Sequence, residues 1–375
     1  MYVTRPMSMY RRQHEALSIT PQLEGPNSGY LVIFNEDDYE LKESWTGSSY
    51  KDNTIRDLPF PQNKILKVED DDFYQDVLFI PVLNHPLSSN IYYAIVQEGN
   101  HIGEAYTSSK KKESSTSIFG SYIKDVKPKP LDPCDQYQQV EITQHRHGFT
   151  ATSIASDGFP PYFLRNKHWS VEMCTPKYYK LSQALGLNST LRATLPPFNT
   201  TQVVGKWYCP FMFVEEVMKL KDQMKRSMFY EMTLEQRWVR VFECGNEGNL
   251  VFVNVVVETE DVFIVGGIRK AIWDEKNVNT NKVVWFMSER VGEDCGIGLN
   301  AAIVDRMKWE QERVGWVRDR RKGRVVKAYE YDGLDEWTSF GCYILVESFV
   351  LRRMDGSLAL TYDFKHTHQI RCKWE

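Results

Sequence analysis

The sequence lacks the long apolar run that a membrane-spanning helix needs. Its longest apolar stretches are strand-sized, as in Leu250–Val257 and Val77–Val82, whereas a spanning helix requires about 18 or more apolar residues. Met1–Pro6 begins without the apolar core of a secretory signal. The seven cysteines form no Cys-x-x-Cys pair, and their odd number favours reduced thiols. These absences predict a cytoplasmic protein that is not inserted into a membrane.

The sequence also lacks an excess of positive charge and the signatures of catalysis. It has 46 Lys and Arg against 50 Asp and Glu, which argues against nucleic-acid binding by the whole chain because such binding needs a basic surface. It contains no Gly-x-Ser-x-Gly, no His-Glu-x-x-His and no complete phosphate-binding loop. The motifs therefore indicate no reaction and imply no cofactor.

Apolar and aromatic residues, by contrast, are plentiful. They reach 42% and 13% of the chain, which is typical of a folded globular protein. Segments rich in β-branched and aromatic residues and bounded by turn formers predict strands. In the first third of the chain these segments lie at about 29–34, 76–82 and 91–97.

A proline-rich segment divides the sequence. Asp125–Pro133 contains three prolines and charges of both signs, a composition typical of a linker. We therefore predict an N-terminal β-rich domain over 1–130 and a C-terminal α+β domain over 135–375, joined near 124–138.

Two helices and a hairpin are expected in the C-terminal part. Apolar residues at helical spacing predict helices at about 214–230 and 300–316. Gly245–Gly248 lies between strand-like segments at 237–244 and 249–257, which predicts that these two segments pair as a hairpin.

The last residues have the most regular pattern in the sequence. From Leu358 to Trp374, apolar or histidine residues alternate with polar ones, which predicts a strand with one packed face and one solvated face. Cys342–Leu351 has the composition of a strand, and Asp355-Gly356 predicts the tight turn between the two. A strand this long usually bends, and we expect a break near 365–368.

A faint internal repeat adds to the fold prediction. Phe211-Met212 and Met232–Gln236 recur, at an offset of 75 residues, as Phe286-Met287 and Met307–Gln311. The offset suggests a duplicated strand–helix–strand unit, with chance similarity as the alternative. The predicted fold class is α+β and β-rich, with antiparallel sheets and a few helices.

Longer motifs resemble a known family. These are Met1–Pro6, Gly25–Ile33, Asp57–Lys64, Phe79–Asn84, Asp157–Arg165, Val203–Phe213, Met307–Trp316 and Met354–Glu375. They are similar to a land-plant family whose members carry a single domain of unknown function and are sometimes named "insecticidal crystal toxin domain" proteins. The resemblance covers nearly the whole chain. It implies a plant protein of a multigene family with a stress or defence role, and it supplies no activity and no catalytic residue.

Two His-x-His motifs are candidates for a ligand or metal site. They are His145/His147 and His366/His368. Residues i and i+2 of a strand share a face, so each pair could offer two imidazoles to one metal ion. His366 and His368 lie on the apolar face of their strand, although a metal site would need a third ligand that the sequence does not identify. The alternative is a pair of hydrogen-bonded histidines in or beside a core, and this alternative is stronger for His145 and His147.

Positive charge is concentrated between residues 306 and 327. The candidate residues for an anionic partner, or for nuclear import, are Arg318, Arg320, Arg321, Lys322 and Arg324. A solvated helix end and loop is the simpler alternative, because basic residues at a helix C-terminus also suit the helix dipole. Three acids on apolar strands could be either buried or located at strand ends, namely Glu243, Glu258 and Glu347.

These features support two hypotheses of different classes. The first is a cytoplasmic plant protein that binds an unidentified ligand or protein partner in stress or defence. The second is an enzyme of specialised metabolism with a cavity beside His366 and His368. The binding hypothesis predicts a sizeable apolar cavity or an exposed aromatic patch.

Overall fold

The computed structural model shows a chain built mostly from β-strands. It describes residues 1–19, 28–35, 40–43, 45–47, 49–70, 73–83, 85–110, 114–117, 120–174, 181–273, 282–288, 295–334 and 336–375. The chain forms two compact units. The first comprises Met1–Gly186, Trp207–Tyr230 and Val278–Val283, and the second comprises Leu187–Lys206, Glu231–Asn277 and Val284–Glu375. The predicted linker over 124–138 lies inside the first unit, and a division into domains there stays a prediction.

The strands, in chain order, are β1 (Tyr2–Pro6), β2 (Gly29–Ile33), β3 (Glu40–Glu43), β4 (Ser49–Asp52), β5 (Thr54–Ile55), β6 (Leu66–Asp70), β7 (Phe73–Pro81), β8 (Ile91–Val96), β9 (Ser109–Lys110), β10 (Ser114–Ser117), β11 (Gly120–Ile123), β12 (Gln139–His145), β13 (Gly148–Ser153), β14 (Gly158–Phe159), β15 (Ser170–Met173), β16 (Gly186–Leu187), β17 (Gln202–Pro210), β18 (Val214–Glu216), β19 (Phe229–Gly245), β20 (Leu250–Glu258), β21 (Glu260–Ile264), β22 (Arg269–Ile272), β23 (Val283–Ser288), β24 (Gly296–Asn300), β25 (Lys322–Glu330), β26 (Ser339–Arg352) and β27 (Leu358–Trp374). The helices are α1 (Met7–Ile19), α2 (Tyr162–Arg165), α3 (Ser189–Thr194), α4 (Leu220–Arg226) and α5 (Ala301–Glu312). None of the helices in the described ranges combines the length and the apolar character needed to cross a membrane.

The first unit contains a seven-stranded sheet in the order β13, β12, β8, β7, β6, β15, β5. Its core is aromatic: the ring of Phe60 lies 5.0 Å from those of Phe79 and Phe149 and 6.2 Å from that of Trp169. All four side chains are buried. The predicted strands at 29–34, 76–82 and 91–97 correspond to β2, β7 and β8.

The second unit is organised around the long antiparallel strands β19, β26 and β27. Its strands follow the order β24, β23, β22, β21, β27, β26, β19. β26 and β27 form the predicted C-terminal hairpin, and Gly356 in its turn has a φ of +83°, a conformation that glycine adopts without strain. The β-rich fold with antiparallel sheets and few helices is therefore confirmed.

The predicted break in β27 is present. Ile344 lies opposite Ile370, while the next residue, Leu345, lies opposite His366. Residues 367–369 therefore have no partners on β26 and form a bulge, which bends a strand and redirects its side chains. His366 is buried before the bulge, and His368 is exposed within it.

Two predicted elements are wrong. β19 pairs with β26, and β20 pairs with β25, so the segments on either side of Gly245–Gly248 do not form a hairpin with each other. The valines of β20 and β25 instead pack on residues of β26 and contribute to one core cluster, with Val251, Val253, Val325, Phe340 and Ile344. Within the predicted helix over 214–230 only Leu220–Arg226 is helical, because Val214–Glu216 and the residues from Phe229 onward are in strands.

The structure does not show the predicted duplication. The first copy consists of a strand, a helix and a strand, in the order β18, α4 and β19. The second consists of two strands followed by a helix, in the order β23, β24 and α5. The predicted helix at 300–316 corresponds to α5, which begins after the side chain of Asn300 accepts a hydrogen bond from the amide of Ala302.

Candidate functional site

A cavity of about 250 Å³ lies within the second unit beside His366. Its apolar lining consists of Leu187, Ala193, Leu195, Val314 and Leu345. Its polar lining consists of Ser189, Arg192, Gln236, Arg313, Glu347, His366 and Gln369. Small-molecule sites are concave and combine apolar side chains with convergent polar groups; in this cavity the polar residues are the more numerous.

Pairing in the sheet brings the polar residues together. Gln236 on β19 lies directly opposite Glu347 on β26, and His366 on β27 lies opposite Leu345, two residues before Glu347. Residues two apart on a strand share a face, so the three polar side chains gather on one side of the sheet. Arg192 comes from α3, which begins where Asn188 Oδ1 accepts a hydrogen bond from the amide of Leu191.

Arg192 and Glu347 form a buried, two-pronged ion pair. Arg192 Nε donates to Glu347 Oε1 at 2.9 Å, and Nη2 donates to Oε2. Gln236 Nε2 donates to Glu347 Oε1 at 2.8 Å and to the carbonyl of Arg192 at 3.0 Å. Burial alone would raise the pKa of Glu347, but the hydrogen bonds and charge of Arg192 outweigh it and lower that pKa. Glu347 is therefore a charged structural anchor at neutral pH.

A second carboxylate, Glu310 on α5, lies among three guanidinium groups. Its oxygens are 2.6 Å from Arg306 Nη2, 3.3 Å from Arg313 Nη1 and 3.5 Å from Arg192 Nη1. Burial raises the pKa of Glu310 against the opposing effect of these cations. Arg306 and Arg313 both stack on Trp309, with their guanidinium carbons 4.5 and 4.7 Å from the ring centroid. Three cations thus face two carboxylates in this network.

The imidazole of His366 is a buried part of the cavity wall. Its Nε2 lies 2.9 Å from Gln311 Oε1, and with the Gln311 amide in this orientation Nε2 carries the proton and Nδ1 is the acceptor. Burial lowers the pKa of His366 to about 4, more than Glu347 raises it. The imidazole is therefore neutral at pH 7. Nδ1 has no hydrogen-bond partner among the described residues, and neither has Gln236 Oε1.

The cavity wall also contains a strained residue. Leu195 has φ +57° and ψ +141°, and a positive φ is rare for a branched side chain. The next residue is held in place, because the carbonyl of Pro196 accepts hydrogen bonds from Trp238 Nε1 at 2.8 Å and Arg371 Nη1 at 3.2 Å. Strain of this kind concentrates at functional sites.

His366 and His368 lie in different environments, and a shared ligand or metal site at this pair stays a prediction. The Nε2 atom of exposed His368 lies 3.0 Å from the carbonyl oxygen of Val314, and the two imidazole rings are tilted by 78°. The bulge at 367–369 separates their environments. Among the described residues, no group of three or more His, Cys, Asp or Glu side chains is placed to hold a metal ion. Of the other pair, His145 lies 2.8 Å from Thr150 Oγ1 on an exposed strand end, and His147 is exposed.

Gly315 should be more sensitive to substitution than its φ alone implies. At φ +92° it follows α5, and a Cβ there would lie 2.9 Å from His368 Nε2. We expect Gly315→Ala to lower the free energy of unfolding by about 1–2 kcal/mol for the left-handed backbone and by about 1 kcal/mol more for the displaced His368 hydrogen bond. Gly356→Ala is the matched control, since φ is +83° and nothing lies within 4 Å. Equal losses in urea unfolding would contradict the proposed contact.

Part of the positive charge between residues 306 and 327 is paired with acidic side chains. Arg318 donates to Glu312 at 2.7 Å and to Asp305 at 2.9 Å, and Arg324 donates to Asn254 at 2.9 Å. The remaining candidates, Arg320, Arg321 and Lys322, are exposed. Binding of an anionic partner here stays a prediction.

Sequence reasoning identified part of the cavity and missed the rest. Three acids were predicted to be either buried or located at strand ends, and one of them, Glu347, is buried. The side chains of the other two are about half exposed: Glu243 pairs with Arg240, and Glu258 pairs with Lys270. The spacing of Arg306, Glu310 and Arg313 along one helix was a signal that could have been used. For Arg192 there was none, because its partner Glu347 is 155 residues away.

Comparisons with known proteins give limited matches. A family model described as "Protein of unknown function (DUF1262)" matches residues 24–119, which agrees with the expected domain of unknown function. No curated protein matches the sequence. A solved structure titled "Crystal structure of Cry35Ab1" is similar with a TM-score of 0.45 and 12% identity, covering 90% of this chain and 89% of that chain.

Proposed function

We propose that the second unit binds a small ligand in the cavity beside His366. The observation that carries this proposal is the mixed lining of the cavity. The partly exposed guanidinium group of Arg313 lies beside the apolar side chains of Leu195 and Val314 around a space of about 250 Å³. A guanidinium group next to apolar side chains offers a ligand both a polar contact and an apolar surface.

The surrounding structure favours binding over chemistry. Glu347 is fully engaged by Arg192 and Gln236, and its nearest oxygen is 3.9 Å from His366 Nε2, so no carboxylate orients the imidazole as in a catalytic dyad. The network therefore serves as a rigid wall. We place this binding protein in a plant, with a role in stress or defence, because of the family resemblance, and in the cytoplasm because of its predicted reduced cysteines and the lack of a secretory signal in the sequence.

An enzyme remains the second candidate because of one feature. His366 is a neutral imidazole in the wall of a cavity. The neutral form is the one that can accept a proton, and its pKa of about 4 makes it a weak base at pH 7. The two functions differ in outcome: a bound ligand would be recovered unchanged in the first case and converted in the second. Incubating protein with each bound compound and analysing it by mass spectrometry separates them.

The proposal is tested by a fragment screen using saturation-transfer NMR. Ala193 is exposed at the cavity, so Ala193→Trp should block it without disturbing the core. Ala328→Trp places the same bulk on exposed β25, away from the cavity. We expect a set of fragments to bind the wild type and Ala328→Trp and to lose their signal with Ala193→Trp. If no fragment binds the wild type, or if every binder also binds Ala193→Trp, the proposal is wrong.

A further inference from the structure

Two of the free cysteines lie opposite each other on neighbouring strands. Cys342 on β26 and Cys372 on β27 are partners in the antiparallel register, and residues directly opposite each other place their side chains on the same face of a sheet. Cys342 belongs to the core cluster that includes the valines of β20 and β25, and Cys372 packs against this cluster. The two thiols are therefore neighbours, although a complete hairpin turn separates them in the sequence.

The hydrogen-bond pattern of the hairpin sets the separation of the two cysteines. Ser339 and Glu375 exchange both of their backbone hydrogen bonds, at 2.9 and 2.8 Å. In an antiparallel ladder such pairs alternate with pairs that exchange none. The register is unbroken over the three steps to Cys342 and Cys372, so this pair is of the second kind. The Cα atoms of such a pair are about 4.5 Å apart, within the range of about 4.4–6.8 Å that a disulfide spans.

The surroundings of the two thiols determine their resting state. Burial raises the pKa of both thiols. A hydrogen bond from the Tyr329 hydroxyl group to Cys342 and the charge of Lys327 on both cysteines oppose this effect without cancelling it. At neutral pH the resting state is therefore a pair of thiols. Cys342 is buried and Cys372 is only partly so, which makes Cys372 the first to meet an oxidant from solution.

We propose that Cys342 and Cys372 are an oxidation site that hydrogen peroxide closes to a cross-strand disulfide. The peroxide oxidises the thiol of Cys372 to a sulfenic acid and releases one water molecule. The thiol of Cys342 then attacks this sulfur atom, and the S–O bond breaks as the S–S bond forms, with release of a second water molecule. Two thiols and one H₂O₂ thus give one disulfide and two water molecules. A dithiol reductant reverses the reaction by disulfide exchange.

Peptide mass mapping without reductant tests the proposal on the full chain. The protein is incubated with hydrogen peroxide at neutral pH, its remaining thiols are blocked, and it is then digested. We expect a linked pair of peptides that contain Cys342 and Cys372, and we expect dithiothreitol to separate them. Absence of this linked pair, or oxidation of the two cysteines to separate sulfinic acids in its place, would overturn the proposal.

Cys244 provides the matched control. It packs against the same core cluster, but its partner on β26 is Phe340, so Cys342 is its diagonal neighbour. Diagonal neighbours are about 7–8 Å apart, which is too far for a disulfide. Cys244→Ser should therefore keep the linked peptides, and Cys372→Ser should lose them. A bridge that includes Cys244 in the wild type would overturn the assignment.

The oxidised protein should also be more stable than the reduced one. A disulfide between Cys342 and Cys372 closes a loop in the unfolded chain and lowers its conformational entropy, while the register of the folded hairpin already holds the two residues in position. We expect the bridged wild type to unfold at a higher urea concentration than its reduced form, and peroxide-treated Cys372→Ser to show no such rise. A lower midpoint for the bridged protein would show that the hairpin does not accommodate the disulfide.

Discussion

Replacing Arg192 with methionine is expected to lower the free energy of unfolding by about 3–5 kcal/mol, the range observed when one partner of a buried ion pair is removed. Methionine preserves much of the side-chain volume and removes the charge. The side chain of Glu347 is 1% exposed and that of Glu310 is fully buried, so neither carboxylate can be solvated in place of its lost partner. The loss would be measured by urea unfolding at pH 7.

An exposed ion pair provides the control. Arg240 and Glu243 are 2.7 Å apart, with side chains about half exposed. Exposed pairs contribute less than about 1 kcal/mol, so Arg240→Met should have a small effect. If Arg192→Met costs no more than Arg240→Met, the buried network does not hold the cavity wall in place.

The second large effect is a pH dependence that originates in His366. The pKa of His366 is lowered from 6.5 to about 4 in the folded protein because the ring is buried. Between these two values the unfolded chain binds a proton at this residue and the folded protein does not, so stability rises with pH across the window. The contribution of His366 is about 3 kcal/mol between pH 4 and 6.5.

The measurement is a series of urea unfolding curves from pH 4.5 to 7.5. His366→Gln removes the titrating group, so its stability relative to wild type should improve steadily as the pH falls through this window. Acids with shifted pKa values, such as Glu310 and Glu347, are present in both proteins and their effects largely cancel in the difference. A pH-independent difference between wild type and His366→Gln would contradict the assignment.

The parts of the fold that sequence could predict are those set by neighbouring residues. Alternation from Leu358 to Trp374 and the Asp355-Gly356 turn predicted the β26–β27 hairpin, because both signals lie within the paired segment. The hairpin expected at Gly245–Gly248 failed for the opposite reason. The strands before and after this turn obtain their hydrogen bonds from β26 and β25, which are far along the chain.

In the candidate site, too, sequence could predict what depends on neighbouring residues and not what depends on distant ones. His366 was identified because its position on an apolar face is a local property, and its burial beside a cavity agrees with that pattern. The break near 365–368 was predicted from the length of the strand, but the different burial of His368 was not, because the pairing register of β26 and β27 decides which residues lie inside the bulge. Arg192 was missed because its role depends on contacts with two distant carboxylates.

The central claim, that a ligand occupies the cavity beside His366, is tested most directly by imidazole nitrogen NMR. The His366 resonances are assigned by their loss in His366→Gln, and a bound fragment from the screen is then titrated into the wild type. We predict that the imidazole nitrogen resonances of His366 shift, with saturation at the same concentration as binding, while those of His145 in the first unit do not. A fragment that saturates the protein and leaves both nitrogen resonances of His366 unchanged would show that the ligand binds elsewhere.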